Sequence, residues 1–203
     1  MVYALHSIGP MELLEAIYTR RATRSFLPEP VSDETVRRLL EVAVQAPSAM
    51  NAQPWRFVVI QDPVRLHRYS ERAKALLLHR LGDDEKNRHY ADRLSSPAFN
   101  IFYDAGTLIV ICGAANEAYT QADCWLAAQN LQLAARALGL GTCCIGFAIT
   151  ALNDPEVKAE LDIPTDVAAI APVIVGTPRS APGPVPRQAP HVLSWFRQAE
   201  SDR

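Results

Sequence analysis

The chain is short of the residues most catalytic signatures are built from. Its 203 residues include 9 glycines, 5 histidines and 4 cysteines. The histidines (His6, His67, His79, His89, His191) never stand at ligand spacing from one another. The cysteines (Cys112, Cys124, Cys143, Cys144) form no C-x-x-C pair and have no histidine at zinc-finger distance. Zinc-ribbon and zinc-finger chemistry is therefore excluded. G-x-S-x-G does not occur, so a hydrolase triad built on that elbow has no anchor. Long apolar runs are missing too: TLIVICGAA at 107–115 is far below the ~20 residues a spanning helix needs. The opening MVYALHSIGP has neither a basic nor a useful apolar leader region, so the expected location is the cytoplasm. In that setting the four cysteines are expected as buried free thiols, with Cys143–Cys144 packing rather than cycling. A net charge of −2 gives no reason to expect nucleic acid or a polybasic membrane contact.

What is present is an ordinary globular composition, with 49% hydrophobic and 21% charged residues. One domain over 1–203 is expected. Basic residues are mostly arginine, lysine occurring only at Lys74, Lys86 and Lys158, a bias expected to run through the whole chain. A first helix is expected over 11–23, with Leu13, Leu14 and Ile17 on one face. Ser32 caps a second, whose Val36, Leu39, Leu40, Ala43 and Val44 recur at helical spacing. That helix must stop before Pro47. RFVVIQD (56–62) is expected as a buried strand and 64–80 as a helix opened by Pro63. Residues 82–104 are expected as a helical excursion. TLIVICGA (107–114) is a strand, 121–138 a central Ala/Leu-rich helix, and TCCIGF (142–147) a short strand. Asn153 is expected to cap a small helix, PEVKAEL. VAAIAPVIVGTP (167–178) is a further strand, at an edge or with a bulge because of Pro172. Five prolines between 178 and 190 make a stiff arm, and HVLSWF (191–196) should end it as an apolar helix needing a partner subunit.

Three stretches could carry chemistry. GLGTCCIG (139–146) leaves a helix and enters a strand, the reverse of a dinucleotide loop, and is better explained as a helix C-cap with a tight turn. In TRRATR, Arg20 and Arg24 lie four apart on one expected helix face. A solvated basic face is the first explanation, and a phosphate monoester relieving their repulsion is the second. In APSAMNAQPW (46–55), Pro47 and Pro54 should hold Ser48, Asn51 and Gln53 extended. Those polar groups suit equally a planar, heteroatom-rich ligand or a turn satisfying its own backbone.

Taken together, RRATRSF, APSAMNAQPWRFVVIQD, DCWLAAQNLQLAARALGLGTCCIGF and IPTDVAAIAPVIVGTPRS resemble, in order, the motifs of the nitroreductase family of FMN-dependent oxidoreductases. The resemblance runs from about residue 11 to 197. It implies an α+β fold, a largely antiparallel sheet flanked by helices, and an intertwined homodimer with FMN at the interface. The arm, 178–203, would pack on the partner. It further implies FMN-phosphate contacts from Arg20, with Arg21 beside it, and from Arg187. Arg24 would lie near the pyrimidine end of the flavin, where a fixed cation stabilises the reduced ring. Pro47, Ser48 and Asn51 would reach the other subunit's FMN, and Ile145–Gly146 would offer a backbone N–H to the hydride-accepting nitrogen. The implied activity is ping-pong hydride transfer from NADH or NADPH to a nitroaromatic, quinone or similar electrophile, with no side-chain catalyst. A flavin-consuming or dehalogenating enzyme, or a non-catalytic FMN-binding dimer, would share these motifs. Two departures stand out: Ala22 replaces a more usual serine, and the strand that follows Asp104 starts at Gly106 without the family's Ala-Pro. The family's mid-chain asparagine falls on Asn87 or Asn100, with nothing to choose between them.

Overall fold

The computed structural model describes residues 11–81, 88–115, 117–180 and 182–197. Its centre is a four-stranded antiparallel sheet in the order β1-β2-β4-β3. The strands are β1 (Arg56–Ile60), β2 (Thr107–Ala114), β3 (Gly141–Cys144) and β4 (Val167–Gly176). Helices α1 (Leu13–Thr19), α2 (Asp33–Ala43), α3 (Pro63–Leu81), α4 (Arg88–Ser95), α5 (Thr120–Ala137), α6 (Ile149–Leu152) and α7 (Pro155–Glu160) surround it. This is the expected α+β, helix-flanked arrangement.

Both faces of the sheet are covered, which period-two alternation on β2 makes visible. Leu108, Val110 and Cys112 enter one core, lined by α3, α6 and α7. Ile109 and Ile111 enter the other, under α2 and α5. On β4 the parity changes: Val167 and Ala169 share the first core with Ile174, while Ala171, Val173 and Val175 share the second. A bulge explains the change. Cys112 pairs with Ala169 and Ile111 with Ala171, leaving Ile170 as the extra residue. Without it every later side chain on β4 would face the wrong core.

The bulge was expected from Pro172, but the edge position was not correct: β4 lies between β2 and β3. Pro172 is tolerated because β3 ends at Cys144, opposite Val173. The carbonyl of Pro172 accepts from Ile145 N–H at 2.9 Å, and the carbonyl of Ile145 takes Ala148 N–H at 3.0 Å instead of the donor that proline lacks. The outer strands are β1 and β3; the burial of β1 is partial, so the buried reading of 56–62 holds only for Ile60.

Local chemistry sets most helix ends. Ser32 Oγ accepts from Thr35 N–H at 3.2 Å, as expected. The cap of α7 is Asp154, not Asn153: its carboxylate accepts from Glu156 N–H at 3.0 Å. Asn153 is taken by its neighbours. Its Nδ2 donates to Ile149 O (2.9 Å) and Ala169 O (2.8 Å), and its Oδ1 accepts from Ala169 N–H (2.9 Å). It thus serves Ala169 as a neighbouring strand would. The short α6 was not foreseen, four residues giving no readable periodicity.

Three other expectations change. The first helix spans only Leu13–Thr19, and its apolar face is open, Leu13 being 65% and Tyr18 72% exposed. Of the excursion over 82–104, residues 82–87 lie outside the described residues, 88–95 are α4 and the rest is turns. Residues 191–196 form no helix: the described arm is extended and open, with Leu193 88% and Phe196 94% exposed. No helix among the described residues is long and apolar enough to cross a membrane.

Candidate functional site

The basic motif leaves the helix before it reaches its arginines. Arg20 is the extended C-cap of α1, so Arg20 and Arg24 share a side through strand periodicity rather than a helical face. The segment runs beside the outer edge of β3. Ala22 bridges Thr142 in parallel, Thr23 N–H donates to Thr142 O at 2.9 Å, and Phe26 bridges Pro178. Gly141 makes the approach possible, since a Cβ there would lie 2.6 Å from Thr23 Oγ1.

A cleft of about 450 Å³ opens at this edge. Arg20, Arg21 and Arg136 line it, with the 139–142 turn below and Pro178, Pro182 and Pro184 of the arm opposite. The turn is the expected C-cap. Gly139 takes φ +75°, its N–H reaches Arg136 O (3.0 Å), and Leu140 N–H reaches Ala135 O (2.9 Å), a Schellman closure of α5.

The cleft is cationic. Among the described residues, no carboxylate lines it. Arg21 Nη1 donates to Tyr18 O and Arg20 O at 2.7 and 2.8 Å, while its Nε is buried without a partner. Such an orphaned donor in a basic cleft fits an oxyanion, which is the fit a phosphate-bearing cofactor requires. Arg20 and Arg24 also reach the end of β3. Burial pushes the Cys143 thiol up, and Arg24 and Arg20 draw it part of the way back. Burial likewise raises Cys144 to about 11 and Cys112 to about 11, and Cys124 to about 12. All four thiols are free, and Cys112, Cys124 and Cys143 are buried as expected, while Cys144 is only partly so.

Beyond β3 the chain turns sharply at Ile145–Gly146. Ile145 N–H is committed to Pro172 O. Gly146 is exposed and faces open space, and its N–H meets no acceptor among the described residues. Of the two residues named at this position, Gly146 is the one with a free donor. The next residue, Phe147, meets Tyr90 of α4 edge-on at 6.3 Å.

Pro47, Ser48 and Asn51 do not line the cleft. Of the residues expected to be extended, Ser48 is (φ −139°, ψ 151°), but Asn51 and Gln53 are not: Ala49–Asn51 is a single 3-10 turn, and Met50, Asn51 and Gln53 all take positive φ, near 50°. Gln53 N–H donates to Ser48 Oγ (3.0 Å), and Gln53 Nε2 to Asn51 Oδ1 (3.2 Å). The turn is held to α5 by Asp123, 5% exposed, whose carboxylate accepts Ala49 N–H at 3.2 Å. Strain of this kind, in three non-glycine residues of one tight turn, gathers at functional positions. Arg187 sits on the exposed arm, outside the cleft. Asn100 is spent locally, donating to Asp104 and accepting from Phe102 N–H; Asn87 lies outside the described residues.

Two residues escaped the sequence reading. Arg136 is a lone cation in the apolar run AARALGLG, and Asp123 a lone acid in the first turn of a helix that is otherwise largely apolar. An isolated charge on a buried helix was the available signal in both cases.

A helix-wrapped antiparallel sheet with a basic cleft at its edge is the α+β arrangement the motifs implied. Residues 17–177 match the nitroreductase family, and the chain belongs to it. It is 29% identical over 176 residues (83% of this chain, 86% of the other) to an Archaeoglobus fulgidus protein named as an NADH dehydrogenase/NAD(P)H nitroreductase. It is 34% identical over 180 residues (82% of each) to the 5,6-dimethylbenzimidazole synthase of Rhodospirillum rubrum. The crystal structure of a nitroreductase with bound FMN from Bacteroides fragilis superposes with a TM-score of 0.77, covering 93% of this chain and 100% of that one at 26% identity.

Proposed function

We propose that this protein is an FMN-dependent oxidoreductase of the cytoplasm that takes hydride from NADH or NADPH and passes it to a small electrophile, such as a nitroaromatic or quinone, in two half-reactions. The observation that carries the reading is the acid-free cleft with the buried, unpartnered Nε of Arg21. Family membership and FMN in a close structural neighbour support it.

FMN, when bound, supplies a ring that accepts and returns hydride. The chain supplies position and charge. Arg20 and Arg21 would hold the phosphate by charge-assisted hydrogen bonds. Arg24 would place a fixed cation near the ring, favouring its negatively charged reduced form. The Gly146 N–H would be available as a backbone donor to the ring, since its neighbour's is taken by Pro172. Arg187, outside the cleft on the exposed arm, would reach the phosphate only if the arm moved onto it. None of these groups exchanges a proton in the reaction, which matches a site without a catalytic histidine or carboxylate.

A second copy completes the assembly. The open faces of α1 and the arm, from Leu13 and Leu14 to Trp195 and Phe196, are the surfaces it covers. Pro47, Ser48 and Asn51, anchored on Asp123, serve the partner's flavin.

The test is anaerobic. The purified protein should release about one FMN per chain, and NADH or NADPH should bleach it before an acceptor panel restores the colour. A colourless protein that ignores added FMN refutes the assignment. Flavin that neither nicotinamide reduces leaves a carrier. The relatedness to a 5,6-dimethylbenzimidazole synthase favours one second reading, synthesis on this scaffold, and flavin lost during turnover would mark it.

A further inference from the structure

The cleft contains one guanidinium more than the motifs provide. Arg136 stands in the last turn of α5, where a cation ordinarily serves the helix's own unpaired carbonyls. Here those carbonyls are already served: Leu138 N–H reaches Ala134 O and Ala135 O, Gly139 N–H reaches Arg136 O, and Leu140 N–H reaches Ala135 O. Arg136 crosses instead to α1, its Nε donating to Thr19 Oγ1 at 2.9 Å, and that hydroxyl donates to Glu15 O at 2.7 Å. With Nε held, the guanidinium plane is fixed. Its two terminal nitrogens meet no acceptor among the described residues, and they belong to a residue that lines the cleft. The side chain of Arg20 makes no hydrogen bond or ion pair there either.

Three cations with spare donors, gathered without a carboxylate, repel one another until an anion enters. A dianion relieves more of that repulsion than a monoanion, and a terminal phosphate offers three oxygens to three forks. We propose that Arg136 is the third cation of a phosphate-monoester site shared with Arg20 and Arg21, and that it sets a preference for flavin ending in a dianionic phosphate over flavin without one. This rests on the flavin reading given above.

Full-length protein freed of flavin is titrated with FMN and with riboflavin by fluorescence quenching. Arg136→Gln should weaken FMN about tenfold or more, one charge-assisted contact being lost, and leave riboflavin unchanged. Arg136→Lys should recover part of the loss, since it keeps charge but not the fork. Unchanged FMN affinity, or equal losses for both flavins, overturns the proposal. Inorganic phosphate provides a second measurement: at matched ionic strength it should raise the melting temperature of wild type above that in chloride, and not that of Arg136→Gln. A wild type stabilised by phosphate through Arg136 but binding neither flavin upholds the anion site and refutes the flavin reading. FMN binding indifferent to Arg136, with no phosphate effect, refutes the anion site alone.

Discussion

Replacing Asn153 by aspartate changes one atom group and should cost the fold heavily. Asn153 Nδ2 donates to two main-chain carbonyls, Ile149 O at 2.9 Å and Ala169 O at 2.8 Å, and Oδ1 accepts from Ala169 N–H. Aspartate keeps the last bond and loses both donors. Each lost bond contributes about 0.5–1.5 kcal/mol. A carboxylate oxygen held against two carbonyl oxygens in a half-buried site adds about 1–3 kcal/mol. The sum is about 2–6 kcal/mol, a large part of the ~5–15 kcal/mol that holds an ordinary domain together. For a chain of this size each kcal/mol moves Tm by ~2–4 °C, so the melting point should fall by about 4–24 °C. Asn153→Ala, which introduces no charge and leaves room for water, should cost less. Urea unfolding followed by circular dichroism, at equal flavin saturation, measures both. Protonating the new carboxyl returns one donor, so the deficit of Asn153→Asp should shrink as pH falls. A variant within about 0.5 kcal/mol of wild type at neutral pH, a margin typical of ordinary surface substitutions, would show that Asn153 does not join α6 to β4.

Two further expectations concern titration. Burial pushes the Asp154 carboxyl up, but the Arg72 guanidinium and the Glu156 N–H outweigh it and hold the group below its ordinary value. Its stabilisation is therefore present above the unfolded-state value and is lost as pH falls through the lower folded one, below about pH 4. Asp154→Asn keeps a capping side chain and removes the ion pair. It should cost up to about 1 kcal/mol near neutrality, and the difference should vanish in acid; a pH-independent difference would exclude the ion pair as its cause. The thiols of Cys112, Cys124 and Cys144, raised to about 11 or 12 by burial, should resist alkylation at mildly alkaline pH until urea opens the fold. Fast labelling of the native protein would contradict their packing.

Much of the scaffold was legible because its signals are local. The cap at Ser32, the proline opening α3, the apolar run of β2 and the glycine closing α5 each state their structure within a few residues. What escaped depends on partners distant in sequence. Pro172 looks like an edge residue unless β3 is known to stop beside it. Asn153 looks like a cap until Ala169, sixteen residues on, claims it. Arg20 was legible as a candidate anion contact from the charge of TRRATR and Arg21 only from the motif, while Arg136 became visible when the fold brought the end of α5 against Thr19. The arm was foreseen as stiff, but residues 191–196 take no helix, because nothing among the described residues covers Val192, Leu193, Trp195 or Phe196. The turn at 47–53 satisfies its own backbone, one of its two readings, and keeps three residues in a strained conformation.

The missing hydrogen on Pro172 has a consequence for how this chain can change. A strand pairs onward for as long as its neighbour offers donors, and here the neighbour withholds one just past Cys144, where β3 ends. The proline acts as a length gauge for β3. Residues inserted after Cys144 would be pushed into the loop rather than zipped into the sheet. The loop bearing Gly146 can therefore vary in length or sequence without shifting the ladder, while the ladder keeps the loop's starting point fixed.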